Sequence, residues 1–188
     1  DRGCTARLAA GTRHIAIGCN AARLGRRSWP VERYGETINR IHARHPETQF
    51  IVVGGRDDIA AADELMRVAR APVMSVAGVL SLRESCALLE RCCCFLGNDS
   101  GPMHMAAAVG VPVIEVSCHP AGGSVEHANA PERFGPLGVE HRVCRPNEPA
   151  SPCVAACEEE VAHCILSVSI DAVVDAFDAL WCECMCRD

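Results

Sequence analysis

The sequence contains no lysine, because all 18 of its basic residues are arginine. Acidic residues outnumber these basic ones, because the 24 aspartates and glutamates give the chain a net charge of −6 at pH 7. A nucleic-acid-binding protein normally carries a basic stripe, so this balance argues against nucleic acid as a partner. Long apolar stretches are lacking too: no run reaches the ~18 residues that a membrane-spanning helix requires, and no signal peptide is visible at the N-terminus.

What the chain does contain is enough apolar material for one domain. Its 188 residues are 49% hydrophobic, which suffices to bury a sizeable core. The first residue is Asp1 rather than methionine, so we expect a fragment or a processed product. Over residues 1–188 we expect a sheet with its phosphate loop at 13–145, an irregular segment with cysteine and proline at 146–168, and a final helix at 169–182.

Residues 97–113 form the most informative segment, and they read Gly-Asn-Asp-Ser-Gly-Pro-Met-His-Met-Ala-Ala-Ala-Val-Gly-Val-Pro-Val. The pattern predicts a buried strand that ends at about Leu96, a turn of small residues, an alanine-rich helix stopped by Gly110, and a second strand. That order places a helix N-terminus at the carboxyl end of a strand, where Ser100 and Gly101 turn backbone N–H groups toward an anion. A phosphate is the predicted ligand; the alternative is an ordinary capped turn without one.

The residue types of this loop suit phosphate binding individually. Gly97 and Gly101 allow the backbone to approach a ligand closely. Asp99 and Ser100 are suitable caps for the helix that follows. His104 lies one turn into that helix, where it either meets the diphosphate or sugar of a ligand or packs as a hydrogen-bonded core group.

A second segment, near the N-terminus, combines a strand with a basic loop. The pattern predicts a strand over 15–18, a loop over 19–28, and an amphipathic helix that opens at Trp29-Pro30 and ends at about His45. The arginines of the loop are Arg23, Arg26 and Arg27. Either they form a solvated surface, or one of them grips a phosphate through the forked guanidinium group.

Between these two segments strand and helix alternate, as a parallel sheet requires. Strands are predicted over 49–53 and 73–76, and helices over 57–70 and 81–91. The first of these helices is expected to place one apolar set on a common face: Ile59, Leu65, Met66 and Ala69. The sequence therefore predicts an α/β, doubly wound parallel sheet, whose ligands bind beyond the carboxyl ends of the strands.

Fourteen cysteines are far more than a chain of this length ordinarily contains. One group falls in predicted helices and strands, where free cysteine behaves as a small buried hydrophobe: Cys86, Cys92, Cys93, Cys94 and Cys118. A second group lies in or beside irregular regions and is open to zinc or disulfides: Cys153, Cys157 and Cys164 with His163, and the terminal Cys182, Cys184 and Cys186. The spacing of the second group matches no standard zinc module, so we assign no metal ligand from the sequence.

The motif at 97–112 and the Trp29-Pro30 helix start both resemble glycosyltransferase family 9, the bacterial lipopolysaccharide heptosyltransferases. The resemblance runs from about His14 to about Leu180. It implies a Rossmann-like fold that forms the C-terminal, nucleotide-sugar-binding domain of a two-domain GT-B enzyme. It also implies ADP-heptose or another nucleotide sugar as donor, a saccharide or lipid-linked acceptor, and no cofactor. The acceptor domain and the catalytic carboxylate are then missing, so we expect this chain alone to be inactive.

The resemblance implies roles for individual residues as well. In the family a basic residue, usually lysine, lies two positions before the tryptophan and contacts donor phosphate; here that position is Arg27. The positions that fall on the family's donor-binding motif are Asp99, Ser100, Gly101 and His104. An acidic residue shortly after a Ser-Leu pair bonds the ribose in the family. Glu84 is the candidate here, although a capping box with Ser81 is its favoured role.

Two expectations concern the later part of the chain. The loop over 118–138 is long enough to be functional or mobile. In two-domain glycosyltransferases the last helix commonly packs across to the first domain. We therefore expect an exposed apolar face on this helix, formed by Val173, Val174, Phe177 and Leu180.

The resemblance places the protein in the cytoplasm, at the inner face of the bacterial inner membrane, with peripheral membrane contact through the missing domain left open. Two other functions stay open at this point. One is a different sugar-nucleotide enzyme on the same architecture, such as an epimerase. The other is a non-catalytic module that binds a nucleotide or a partner.

Overall fold

A sheet of six parallel strands lies at the centre of the molecule. The computed structural model describes residues 12–19 and 22–185. The strands are β1 (Arg13–Gly18), β2 (Thr48–Val52), β3 (Val73–Ser75), β4 (Cys94–Asn98), β5 (Val113–Val116) and β6 (His141–Cys144). Their order across the sheet is β3-β2-β1-β4-β5-β6, and every neighbouring pair is parallel. This arrangement confirms the predicted Rossmann-like α/β fold.

Helices cover both faces of the sheet, because strands that are buried on both sides need apolar partners on both sides. One face packs against α1 (Val31–Arg44), α2 (Ile59–Val68) and α6 (Ile170–Met185). The other face packs against α3 (Leu82–Leu89) and α4 (Gly101–Ala108). Successive residues of β1 serve the two faces in turn, with Ile15 and Ile17 in the first cluster and Ala16 in the second.

Shorter elements connect these layers. Segments of 3-10 helix span Ala22–Arg27, Arg56–Asp58 and Cys164–Ser167, and the first of them is interrupted at Gly25. The predicted loop over 118–138 contains the four-residue α5 (Pro131–Phe134) and is otherwise irregular. Among the described residues, no helix combines the length and the apolar character that crossing a membrane requires.

The buried face of α2 differs from the predicted one. Ile59 and Met66 are 43% and 38% exposed, whereas Ala61, Ala62 and Leu65 are buried. The helix packs closely on α1: a Cβ on Gly35 would lie 2.7 Å from Cγ2 of Val68 and 3.8 Å from Cδ1 of Leu65. Of the predicted set, Leu65 thus lies on the buried face, whereas Ile59 and Met66 lie outside it.

The expectation of an exposed apolar face on the last helix is wrong. Val173, Val174, Phe177 and Leu180 of α6 are all at most 1% exposed. This face packs against α1 and the β5–β6 end of the sheet, where Phe177 stacks on Trp181 with ring centroids 5.3 Å apart. The helix thus completes the core of its own domain.

Candidate functional site

The predicted ligand loops meet where the strand order reverses. β1 and β4 are neighbours in the sheet, and the chain leaves them toward opposite ends of the sheet order, which is the topological switch point of a doubly wound fold. The loop after β1 carries Arg27, and the loop after β4 carries Asp99. Because both strands end at the same edge, the two motifs that are remote in sequence form one site.

Gly97 serves the sheet at this point rather than the ligand. A Cβ there would lie 2.7 Å from the ring of Phe95 and 2.8 Å from the carbonyl oxygen of Gly18, its partner on β1. The space that glycine leaves is therefore filled by protein. This corrects the interpretation that Gly97 makes room for a ligand.

Asp99 connects two of the predicted ligand-binding side chains. Its Oδ2 accepts a hydrogen bond from Nη1 of Arg27 at 3.0 Å, and its Oδ1 lies 3.5 Å from Nε2 of His104. The carboxylate is 11% exposed, whereas the Arg27 and His104 side chains are 33% and 50% exposed. His104 is therefore not a packed core histidine. Asp99 holds both groups at the surface where an anion could reach them.

The N-terminus of α4 opens onto the same surface. Ser100 occupies the N-cap position with an extended backbone, but its side chain makes no cap hydrogen bond and its buried Oγ has no partner within the described ranges. The predicted side-chain cap is therefore wrong. Gly101 begins the helix, and a Cβ built there meets no atom within 4 Å. The first N–H groups of a helix lack intrahelical acceptors, so this end of α4 offers donors to a ligand.

Asn98 is a part of the site that the sequence analysis missed. This fully buried side chain accepts hydrogen bonds from the Tyr34 hydroxyl at 2.9 Å and from the Trp29 backbone N–H at 3.4 Å. Its amide also donates to the Val116 carbonyl at 3.0 Å. Asn98 thus ties the start of α1 to the ends of β4 and β5. A polar residue at the end of an otherwise apolar strand was the available signal.

The loop of residues 19–28, here called the arginine loop, packs against the irregular segment of residues 146–168 and is not simply solvated. Arg26 donates to the Cys157 carbonyl at 2.8 Å. Gly25 has a φ of +48°, and a Cβ there would overlap the Glu160 carbonyl oxygen, so no larger residue fits. Together with the Arg27–Asp99 pair, these contacts contradict the solvated-loop alternative for Arg26 and Arg27. The side chain of Arg23 lies outside the described part of the structure.

A comparison of the sequence with models of protein families identifies the family of this chain. The model of glycosyltransferase family 9 (heptosyltransferase) matches residues 1–163. The chain belongs to glycosyltransferase family 9. Lipopolysaccharide heptosyltransferase 3 of Escherichia coli is 31% identical over 110 residues, which cover 55% of this chain and 32% of that protein.

Solved heptosyltransferases share the fold of this family 9 chain. ADP-heptose lipopolysaccharide heptosyltransferase II of E. coli superposes with a TM-score of 0.74 at 21% identity, over 94% of this chain and 49% of that chain. The E. coli heptosyltransferase WaaC with ADP gives a TM-score of 0.66 at 17% identity, over 93% of this chain and 47% of that chain. The chain therefore spans about half the length of these solved proteins and a third of that of its curated relative.

Glu84 occupies the position that the family resemblance assigned to ribose binding, but its carboxylate is engaged locally. Oε2 accepts hydrogen bonds from the Ser81 backbone N–H at 2.9 Å and from the Ser81 hydroxyl at 2.7 Å, which completes the predicted capping box of α3. The Ser81 hydroxyl and backbone N–H hold the pKa of Glu84 below its ordinary value. The structure does not bring Glu84 into contact with Arg27, Asp99 or His104.

Two buried polar residues on β5 and in the loop that follows it were also missed by the sequence analysis. Glu115 pairs in register with Gly97 and is 1% exposed. Burial, and then the negative charge of Asp99, raises the pKa of Glu115 to about 8. His119 is buried as well and stacks on His127, and burial lowers its pKa. The raised pKa favours the protonated form of Glu115, which avoids a second buried negative charge beside Asp99.

The prediction that the first group of cysteines lies in the core is confirmed for three of its five members. Cys92, Cys94 and Cys118 are buried, while Cys86 and Cys93 are partly buried. In the irregular segment the ligand atoms of four residues lie within 4.8 Å of one another: Cys153, Cys157, His163 and Cys164. The fold of the segment, not its spacing in the sequence, brings these four candidate ligands together. Cys182 is exposed; the Cys184 side chain and Cys186 lie outside the described part.

Proposed function

We propose that this chain is the donor-binding, C-terminal half of a GT-B heptosyltransferase and that it binds a nucleotide-diphospho-sugar, with ADP-heptose as the donor. The observation that carries the proposal is the position of Arg27, held by Asp99 at 3.0 Å beside the open N-terminus of α4. A guanidinium and a helix N-terminus on one surface form a binding site for a diphosphate. The similarity of the fold to that of WaaC, which was solved with ADP, supports the choice of nucleotide.

The proposed reaction transfers the sugar to a hydroxyl of a saccharide acceptor, lipid-linked as in the lipopolysaccharide core. The bond between the anomeric carbon and the diphosphate oxygen breaks, and its electron pair leaves with the diphosphate. Arg27 and the backbone N–H groups of Ser100 and Gly101 stabilise the charge that develops on this leaving group. His104 adds a donor one turn into α4. The acceptor hydroxyl forms the new bond and gives its proton to a carboxylate.

Asp99 has a positioning role in this proposal. A carboxylate in direct contact with a diphosphate would repel it, but Asp99 is largely buried under Arg27 and His104 and presents them to the solvent side. Pairing also restricts the rotamers of Arg27, so less side-chain freedom is lost when the phosphate binds. Glu84 stays a candidate for the ribose, provided that it leaves the capping box.

The proposal assigns residues 13–145 to the sheet and donor loops, 146–168 to a bracing segment and 169–182 to the closing helix. The acceptor-binding domain and the catalytic carboxylate belong to the part of the enzyme outside these 188 residues, as the matched lengths of about half support. The chain alone is then inactive in transfer. The intact enzyme is placed in the cytoplasm at the inner membrane, where a lipid-linked acceptor is available.

Calorimetric titration with ADP, UDP, GDP and CDP tests this function directly. We expect ADP to bind in the millimolar to micromolar range and the other nucleotides to bind more weakly. Equal affinity for all four would assign the site to the diphosphate alone and contradict the choice of adenine. No binding of any of them would contradict the donor-binding function.

A further inference from the structure

The irregular segment between β6 and α6 has little regular structure, although Cys157, Cys164 and Ile165 reach the core. Val154 and Val161 are 84% and 67% exposed, and the 3-10 turn Cys164–Ser167 is its regular element among the described residues. Yet it keeps contact with the arginine loop through Arg26 and Gly25. A metal ion bound by several side chains is one means of fixing the conformation of such a segment.

Four side chains of this segment present metal-binding atoms to a common point. Sγ of Cys153 and Sγ of Cys164 both lie 3.6 Å from Nδ1 of His163, and all four ligand atoms, including Sγ of Cys157, lie within 4.8 Å of one another. A tetrahedral zinc ion with ordinary Zn–S and Zn–N bonds places sulfur and nitrogen about 3.6 Å apart. The observed spacing is therefore that of ligands around one ion, and the three cysteines are free thiols.

The surroundings suit thiolate ligands. The Ala150 backbone N–H donates to Sγ of Cys164 at 3.4 Å, and Arg26 donates to the carbonyl of Cys157. Three thiolates and a neutral histidine around Zn²⁺ carry a net charge of −1, which the nearby guanidinium offsets. Hydrogen bonds from outside the ligand set commonly orient and stabilise thiolates in such sites.

We propose that Cys153, Cys157, His163 and Cys164 bind one zinc ion in a closed tetrahedral site, which fixes the irregular segment against the loop of residues 25–27. Four protein ligands leave no position for water or substrate, so the role is structural. The compact set fits a single ion, and sulfur with imidazole selects zinc over magnesium or calcium. The proposal does not depend on the identity of the donor.

Metal analysis of the purified 188-residue chain tests the proposal. We expect about one zinc per chain, and Co²⁺ in its place should give the thiolate charge-transfer and d–d absorption of a tetrahedral site. Cys153→Ser and His163→Ala, both at partly buried positions, should lower the zinc content to well under one per chain. His163→Cys should retain it, because a Cys4 set also binds zinc.

Two control variants locate the ion. Cys86→Ser and Cys182→Ser remove thiols outside the four-residue cluster, and both should keep about one zinc per chain. Loss of zinc in Cys182→Ser, or its retention in both Cys153→Ser and His163→Ala, would place the ion elsewhere and overturn the proposal. A metal-free chain with a disulfide between any of the three cysteines, seen by mass spectrometry without reduction, would also overturn it.

Hydrogen exchange distinguishes the structural role from mere binding. Removal of zinc by a chelator should raise amide exchange in residues 150–164 and in the arginine loop, and leave the strands of the sheet unchanged. Unchanged exchange in both regions would contradict the claim that the ion fixes the segment. This readout does not involve a nucleotide, so it fails or succeeds separately from the proposed function.

Discussion

Arg27 and Asp99 are 72 positions apart in the chain, yet Nη1 of the arginine lies 3.0 Å from Oδ2 of the aspartate. The pair spans the switch point of the sheet and joins the loop after β1 to the loop after β4. Both side chains are partly shielded from water, at 33% and 11% exposure, so the contact is more than a mobile surface ion pair. It orients a cation toward the N-terminus of α4.

Replacement of this cation should weaken nucleotide binding specifically. We expect Arg27→Ala to reduce the affinity for ADP by ~1.5 to 3 kcal/mol, the usual contribution of a charge-assisted hydrogen bond. Arg27→Lys should recover part of the loss, because the charge remains without the fork. Calorimetric titration provides the measurement.

Arg67→Ala is the matched control for charge. Arg67 lies on α2 in an exposed pair with Glu64, so its removal changes the net charge equally but leaves the site intact. An equal loss of ADP affinity in both variants would show that long-range charge, not contact with Arg27, is responsible. An Arg27→Ala variant that binds ADP like the parent would remove the arginine from the site.

Gly101→Val should abolish nucleotide binding without unfolding the chain. A Cβ at Gly101 meets no protein atom within 4 Å, so the larger side chain extends into the open space in front of α4. That is the space in which the diphosphate is proposed to lie, close to the backbone N–H groups. Melting temperature and ADP titration on the same sample separate the two effects. Binding equal to that of the parent would place the phosphate elsewhere.

Gly110→Ala, just after the C-terminal end of α4, should affect stability and leave nucleotide binding unchanged. Gly110 follows α4 with a φ of +82°, where an alanine is strained even though its Cβ would have open space. We expect a stability loss of about 1 kcal/mol and unchanged ADP affinity. A loss of affinity without a loss of stability would contradict this assignment.

Asn98→Ala should destabilise the fold mainly because it removes buried hydrogen bonds, and only in smaller part because it removes side-chain volume. It leaves the Tyr34 hydroxyl, the Trp29 N–H and the Val116 carbonyl without their buried partner. Each unpaired buried group costs ~1 to 3 kcal/mol, so we expect a total of about 3 kcal/mol or more in urea unfolding. Tyr34→Phe removes one of these bonds and should cost about 1 kcal/mol. Equal costs for the two variants would contradict a central role of Asn98.

The fold was predictable because its signals are local. Each of the predicted strands and helices is present with ends shifted by a few residues, since apolar periodicity, Gly110 and the capping box at Ser81 and Glu84 each act within about one turn. The proximity of Arg27 and Asp99 also follows from strand order, because neighbouring parallel strands end at one edge.

The remaining features depend on distances that a single segment does not encode. The buried face of α2 depends on its packing against α1, and the buried face of α6 depends on its packing against α1, β5 and β6. The cluster of Cys153, Cys157, His163 and Cys164 forms because the irregular segment folds back on the arginine loop. Because the irregular segment has no periodic pattern of apolar residues, its path through space could not be inferred from the spacing of its cysteines.

Glu115 should make the stability of the protein depend on pH in a defined window. Its pKa is raised by burial, and by the charge of Asp99, from an ordinary 4.5 to about 8 in the folded state. Between these values the unfolded chain has released the proton and the folded chain retains it, so stability falls as pH rises. The slope from this group is at most about 1.4 kcal/mol per pH unit, and it vanishes above about pH 8.

Glu115→Gln removes this dependence while it keeps the shape of the side chain. We expect the variant to gain stability relative to the parent as the pH rises from about 5 to 8, with a constant difference beyond. Urea unfolding of both proteins at each pH gives the difference, in which the titration of other groups, including the neighbouring His119, largely cancels. A difference that is independent of pH would mean that Glu115 is ionised in the folded protein. Its carboxylate would then need a cationic partner beside Asp99, and the assignment of a neutral Glu115 would be wrong.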